Sequence, residues 1–135
     1  MTIAFKSKED LIKLTVTGQL TAIDLYRGIN AIFEATTPPK MRLWDVTGAV
    51  APDAEDFAEQ LRKFSIYSTE RGKSENGARV AVVSLDDVQF GLARMSASLA
   101  AVNQATYPVK IFRDSDSAKA WLSEAVNESE RESSD

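Results

Sequence analysis

The stretch that decides the fold reads Met41-Arg42-Leu43-Trp44-Asp45-Val46-Thr47-Gly48 and, a few residues on, Pro52-Asp53-Ala54-Glu55-Asp56-Phe57. It is a short apolar strand over Met41 to Val46, a polar turn, and a clearly marked helix start. Pro52 fits a first helical position, where a missing amide proton costs nothing. Asp53, Glu55 and Asp56 fill the first turn, and Arg62 and Lys63 lie further on, all favourable to the helix dipole. Phe57, Leu61, Phe64 and Tyr67 recur at helical spacing and are read as the buried stripe.

The same strand–turn–helix unit recurs on both sides. Upstream, Ile3 and Phe5 share one face of a first strand over Thr2 to Lys6, and Ser7 to Asp10 is a polar connection. Ile12, Leu14 and Val16 alternate in a second strand over Leu11 to Thr17, ended by Gly18. The short separation predicts an antiparallel hairpin. Thr21, with Asp24 three residues later, is a weak capping box ahead of Leu25, Ile29, Ile32 and Phe33. Pro38-Pro39 stops that helix. Downstream, Arg71 to Gly77 is a polar loop and Arg79 to Ser84 a nearly continuous apolar run, the pattern of a central parallel strand covered on both faces. Ser84 with Asp87 is again box-like, and Val88, Leu92, Met95, Leu99 and Val102 follow a helical period. Pro108 to Phe112 forms a fifth strand. Asp114 or Ser115 then caps a last helix whose inner face carries Ala118, Trp121 and Leu122.

The expected order is β-β-α-β-α-β-α-β-α. This is an α/β fold with a mixed five-stranded sheet, mostly parallel with an antiparallel first hairpin, flanked by about four helices. A chain of 135 residues suits one domain, read here as residues 1–126. No apolar run approaches the roughly 20 residues that span a bilayer, and the N-terminus lacks a signal-peptide layout, so a cytoplasmic location is the expectation.

The chain contains no Cys and no His. That excludes disulfides, thiolate nucleophiles and Cys/His zinc sites, and it removes the commonest general base near neutral pH. The net charge of −4 resides in Ser123 to Asp135, whose five acids face one base, while the rest is balanced. A neutral body with an acidic end argues against nucleic acid, which requires a basic face. Residues 127–135 are read as an acidic, disordered tail.

The order and motifs together resemble the STAS fold of anti-sigma factor antagonists, and more closely the SpoIIAA-like (STAS/SEC14-type) family. Leu43-Trp44-Asp45-Val46-Thr47-Gly48 is similar to that family's Leu-Val-Asp-Leu-Ser-Gly strand end. Val80-Ala81-Val82-Val83 resembles its central strand. Val109 to Asp114, followed by Ala118 and Trp121-Leu122, resembles its closing strand and Ala-x-x-Trp-Leu helix. The resemblance covers about residues 2–126. It implies a regulatory module in which an Asp-Ser-Ser-Gly run opens the second helix and one serine is phosphorylated. Counted without gaps, that run falls on Asp53-Ala54-Glu55-Asp56, where only Asp53 matches and both serines are absent. Glu55 would supply a fixed negative charge, weaker than a phosphate; the plainer reading is ordinary capping by an acid in a first turn.

In open α/β sheets, sites gather beyond the carboxyl ends of the parallel strands. That rim holds Asp45, Thr47, Asp53, Ser84, Asp86 and Asp114. Asp45 is a candidate base or metal ligand, or it caps a turn through backbone amides. No Asp-x-Asp-x-Asp-Gly loop and no glycine-rich phosphate loop occurs, so neither a metal nor a nucleotide cofactor is expected. Phe64 and Tyr67 either line a cavity or belong to the core. The helix after Ser84 carries a second face of Phe90, Arg94, Ala97 and Ala101, with Gly91 nearby; a glycine there costs about 1 kcal/mol against alanine and hints at close packing. Arg94 is read either as holding a carboxylate or phosphate bidentately or as pairing with Asp86 or Asp87 on the surface.

Three functions follow as expectations. The first is a non-enzymatic interaction module whose protein partner docks over Asp45, Thr47, Asp53 and Glu55. The second is a carrier or sensor of a small apolar, lipid-like ligand walled by Phe64, Tyr67, Phe90 and Met95. The third is a carboxylate enzyme using Asp45 with Arg94 or Thr47. A homodimer through the small-residue helix face is compatible with all three.

Overall fold

The computed structural model describes residues 2–8, 10–34, 38–50, 57–72, 77–84 and 107–133. Strands β1 (Thr2–Lys8) and β2 (Leu11–Gln19) form an antiparallel hairpin, from Thr2 opposite Thr17 to Lys8 opposite Leu11. Strands β3 (Met41–Val50), β4 (Arg79–Val83) and β5 (Val109–Phe112) then add in parallel, giving the sheet order β1-β2-β3-β4-β5. Three helices are described: α1 (Ala22–Phe33), α2 (Phe57–Arg71) and α3 (Ser115–Ser133). The helix expected between Ser84 and Tyr107 lies outside the described residues.

A sequential strand order with right-handed crossovers places successive crossover helices on one face of the sheet. Accordingly, Leu25, Ile29 and Ile32 of α1 and Leu61 of α2 share a buried cluster with Ile12, Leu14, Val16, Trp44 and Val80. Helix α3 takes the other face, where Ala118 and Leu122 close on Leu43, Ala81 and Val83. Period-2 alternation sorts the strand residues: in β3, Leu43 faces α3 and Trp44 faces α1. Each of the buried Leu, Ile and Val side chains among these contributes about 1.5–3 kcal/mol.

Local chemistry sets the ends. Thr21 is extended, and its Oγ1 accepts the Asp24 amide at 3.4 Å, opening α1. At Gly28 α1 meets the sheet so closely that a Cβ would lie 2.8 Å from Cζ3 of Trp44 and 3.2 Å from Cδ2 of Leu14. Only a residue without a side chain fits there. At the far end of α1, buried Arg42 donates through Nε to the Pro39 carbonyl at 2.9 Å and lies 5.0 Å from the Phe33 ring centroid. Asp114 opens α3: Oδ1 accepts the Ser117 amide at 2.7 Å and Oδ2 its hydroxyl at 2.9 Å. Those bonds hold the Asp114 carboxyl below its ordinary pKa. Arg79 ties α3 to β4, donating to the Trp121 carbonyl at 2.9 Å while its guanidinium lies 5.0 Å from the Trp121 ring centroid.

Four expectations change. β3 runs to Val50 and not Val46, because the polar turn is absorbed into a bulge: Thr15 pairs with Asp45, but Thr17 pairs with Gly48. α2 is turned further than expected: Leu61 is buried and Phe64 and Tyr67 pack half-buried against the same cluster, but Ser65 and Ser68 are buried as well, and Phe64 and Tyr67 also meet Tyr26 of α1. Periodicity locates a stripe but does not say whether a sheet or another helix faces it. The Ser84 hydroxyl, expected to form a capping box with Asp87, is fully buried with no hydrogen-bond partner, and Asp87 itself lies outside the described residues. The tail expected as disordered continues α3 to Ser133. Once the anchored half of a helix is nucleated, propagation through good helix formers such as Ala125, Glu128 and Arg131 is cheap.

Candidate functional site

Strands β2 to β5 end at one rim, and the bulge in β3 builds its most organised corner. Val46 and Thr47 occupy the place where β2 offers only Val16, so the chain kinks just after Asp45. The Asp45 carboxylate spans the kink. Its Oδ1 accepts the Thr47 amide at 3.0 Å and the Thr47 hydroxyl at 2.6 Å, while Oδ2 lies 3.9 Å from Nζ of Lys13 on the neighbouring strand. This is a side-chain-closed turn with a partly exposed counter-ion. A carboxylate whose oxygens already face an amide, a hydroxyl and an ammonium is arranged to shape backbone, and proton abstraction would require it to leave those partners. Among the described residues, no three acidic side chains converge as a cation would require.

Ser84 ends the central strand one position beyond the Asp45–Val83 pair, its amide donating to the Phe112 carbonyl at 3.0 Å. Alternation places its side chain on the Val82 side of the sheet, opposite to Asp45. Asp45 and Thr47 are thus brought together, and Ser84 is not joined to them.

Phe64 and Tyr67 sit away from the rim, in a set of edge-on rings between α1 and α2. Tyr26 lies 5.7 Å from Phe64 and 4.9 Å from Tyr67, and Phe64 lies 6.4 Å from Trp44. The Tyr67 hydroxyl donates to Oδ1 of Asn30 at 2.5 Å. These rings join two helices. Asp53, Glu55, Phe90 and Arg94, together with Met95, lie outside the described residues.

Sequence reading missed two rim residues, Ile23 and Val50, which are 66% and 61% exposed. Val50 ends β3, its carbonyl accepting the Leu20 amide at 2.9 Å, and Ile23 lies in the first turn of α1 just beyond that link. Ile23 was detectable, since it falls on the helix face opposite to Leu25, Ile29 and Ile32. Val50 was not, because the bulge resets which face each residue of β3 takes. The rim therefore presents two large apolar side chains to solvent along with the polar Asp45–Thr47 turn.

No family model matches the chain. No curated protein matches it. Among solved structures, it is similar to an uncharacterized protein from the DUF3478 family with a SpoIIAA-like fold, from Shewanella loihica PV-4. The two share 19% identity over 90% of this chain and 92% of the other, with a TM-score of 0.52. That likeness establishes a SpoIIAA-like α/β fold. No described helix is long and apolar enough to cross a membrane.

Proposed function

We propose that this chain is a non-enzymatic protein-interaction module that uses the carboxyl rim of its parallel strands. The observation that carries this reading is the solvent exposure of Ile23 and Val50 beside the Asp45–Thr47 turn. Exposed large apolar groups on a rigid rim are what a docking partner covers, whereas single scattered ones need no explanation. Two further features support it. The Asp45 carboxylate is taken up in holding the bulge, which leaves the enzyme reading without its base. Both serines of the phosphorylation run are missing from Asp53-Ala54-Glu55-Asp56, so control by a kinase at that point is not part of the proposal.

The same reading keeps the complete element order expected of the fold. The parallel pairing of β4 with β5 requires a crossover, and residues 88–102 carry the helical period that supplies one.

The test is a double variant, Ile23→Lys with Val50→Lys, compared with wild type in quantitative affinity capture, with circular dichroism to confirm folding. The variant is expected to lose at least tenfold of the wild-type partner signal. Undiminished capture by a folded variant overturns the rim as the docking surface. Native mass spectrometry of the same preparation distinguishes the carrier reading: a small mass released on denaturation would replace the interaction module with a ligand carrier.

A further inference from the structure

We propose that α2 is a releasable helix, a lid that swings away from α1 and Trp44 while the sheet, α1 and α3 remain folded. This goes beyond the interaction reading and rests on separate residues. Helix α1 buries Leu25, Ile29 and Ile32, and α3 buries Ala118 and Leu122. Among the described side chains of α2, Leu61 is the one fully buried aliphatic; Phe64 and Tyr67 pack half-buried against the same cluster, and the inward line continues as Ser65 and Ser68, with Gly72 just past the helix end. Its one large aliphatic residue beyond Leu61, Ile66, points outward at 41% exposure. The polarity of the helix is thus partly reversed.

The inward line is polar, and so is a bond that holds it. The Ser68 and Tyr107 hydroxyls bond each other at 2.6 Å in a buried position. Oγ1 of Thr69, also buried, has no hydrogen-bond partner. A buried hydroxyl without a partner favours the open state, in which water supplies one. Otherwise α2 is held sideways: Phe64 and Tyr67 meet Tyr26 edge-on, Tyr67 bonds Asn30, and Arg71 lies 5.3 Å from the Phe33 ring centroid. Edge aromatic pairs and single hydrogen bonds are short-range contacts that break together when the helix tilts. Segments with few buried apolar contacts open at lower free energy than the body they rest on. Release takes Phe64 off Trp44, whose ring centroid lies 6.4 Å away, and so opens the α2 side of an indole that α1 continues to cover at Gly28.

Hydrogen exchange read by mass spectrometry on the full chain tests this. After correction for intrinsic rates, amides of 57–71 are expected to exchange at least tenfold faster than those of 22–33 and 115–124. Tyr107→Phe removes the partner of Ser68 and is expected to speed α2 exchange several-fold while leaving α3 unchanged. Tyr67→Phe, which removes the bond to Asn30, is expected to do the same and covers the case in which Tyr107→Phe does not fold. Equal protection of α1 and α2, or variants that accelerate all three helices alike, would overturn the lid.

Discussion

Helices α1 and α2 cover the same face of the same sheet, yet they are held there by different physics. Helix α1 lies so close that Gly28 touches the indole of Trp44, and three aliphatic side chains fill the space around that contact. Among its described side chains, α2 is anchored by buried Leu61 and half-buried Phe64 and Tyr67, and its remaining buried residues are the hydroxyl-bearing Ser65 and Ser68. Removing a residue from water is therefore not equivalent to gaining hydrophobic stabilisation. A buried leucine or isoleucine contributes about 1.5–3 kcal/mol, while a paired buried hydroxyl nets about 0.5–1.5 kcal/mol. Two helices on one face thus hold the sheet with unequal strength.

The largest effect should come from α1. Ile32→Ala removes a fully buried side chain and is expected to lower unfolding stability by about 2–5 kcal/mol in urea titrations. Leu61→Ala deletes the same number of carbons from α2. If α2 opens before the rest unfolds, its truncation is felt mainly in that opening, so the global loss should be clearly smaller. Equal losses for the two variants would break the contrast between the helices.

Gly28→Ala comes next. Alanine is worth about 1 kcal/mol over glycine in a helix interior, so on propensity alone the change is stabilising. The added Cβ, however, runs into an indole ring that is itself packed. Overpacking of this kind typically costs about 1–3 kcal/mol. A net loss of up to about 2 kcal/mol is expected, together with a shift in Trp44 fluorescence. A net gain would show that α1 is less tightly seated than its geometry indicates.

Much of this was legible in the sequence where the determinant is local. The Thr21 to Asp24 cap, the stop at Pro38-Pro39, the alternation of Ile12, Leu14 and Val16, and the Asp114 cap each depend on a few neighbouring residues. The illegible parts depend on residues distant in sequence. The bulge at Asp45 exists because β2 offers Val16 alone against Val46 and Thr47, and no window around Asp45 contains that information. The approach of Lys13 to Asp45, and the outward turn of Val50, follow from the same register. The rotation of α2 reflects the presence of Tyr26 on α1, which draws Phe64 and Tyr67 sideways. For the candidate site, the Asp45–Thr47 pair was accessible because it closes within three residues. At Ser84 the Ser-x-x-Asp spacing records proximity in sequence and not that the hydroxyl is buried without a partner.

The smallest effect is expected at Ile66. Its side chain is 41% exposed on the outer surface of α2, and lysine is slightly the better helix former. Ile66→Lys should therefore change stability by no more than about 0.5 kcal/mol, as is usual for a surface substitution. The measurement is best made by thermal unfolding at two protein concentrations a hundredfold apart. If Ile66 faces water, the variant and wild type shift together and neither midpoint depends on concentration. If a second copy covers it, the wild-type midpoint rises with concentration by mass action and the lysine abolishes that rise. In the second case the outer face of α2 belongs to a dimer, the helix is clamped from outside, and its weak inner face no longer sets how readily it opens.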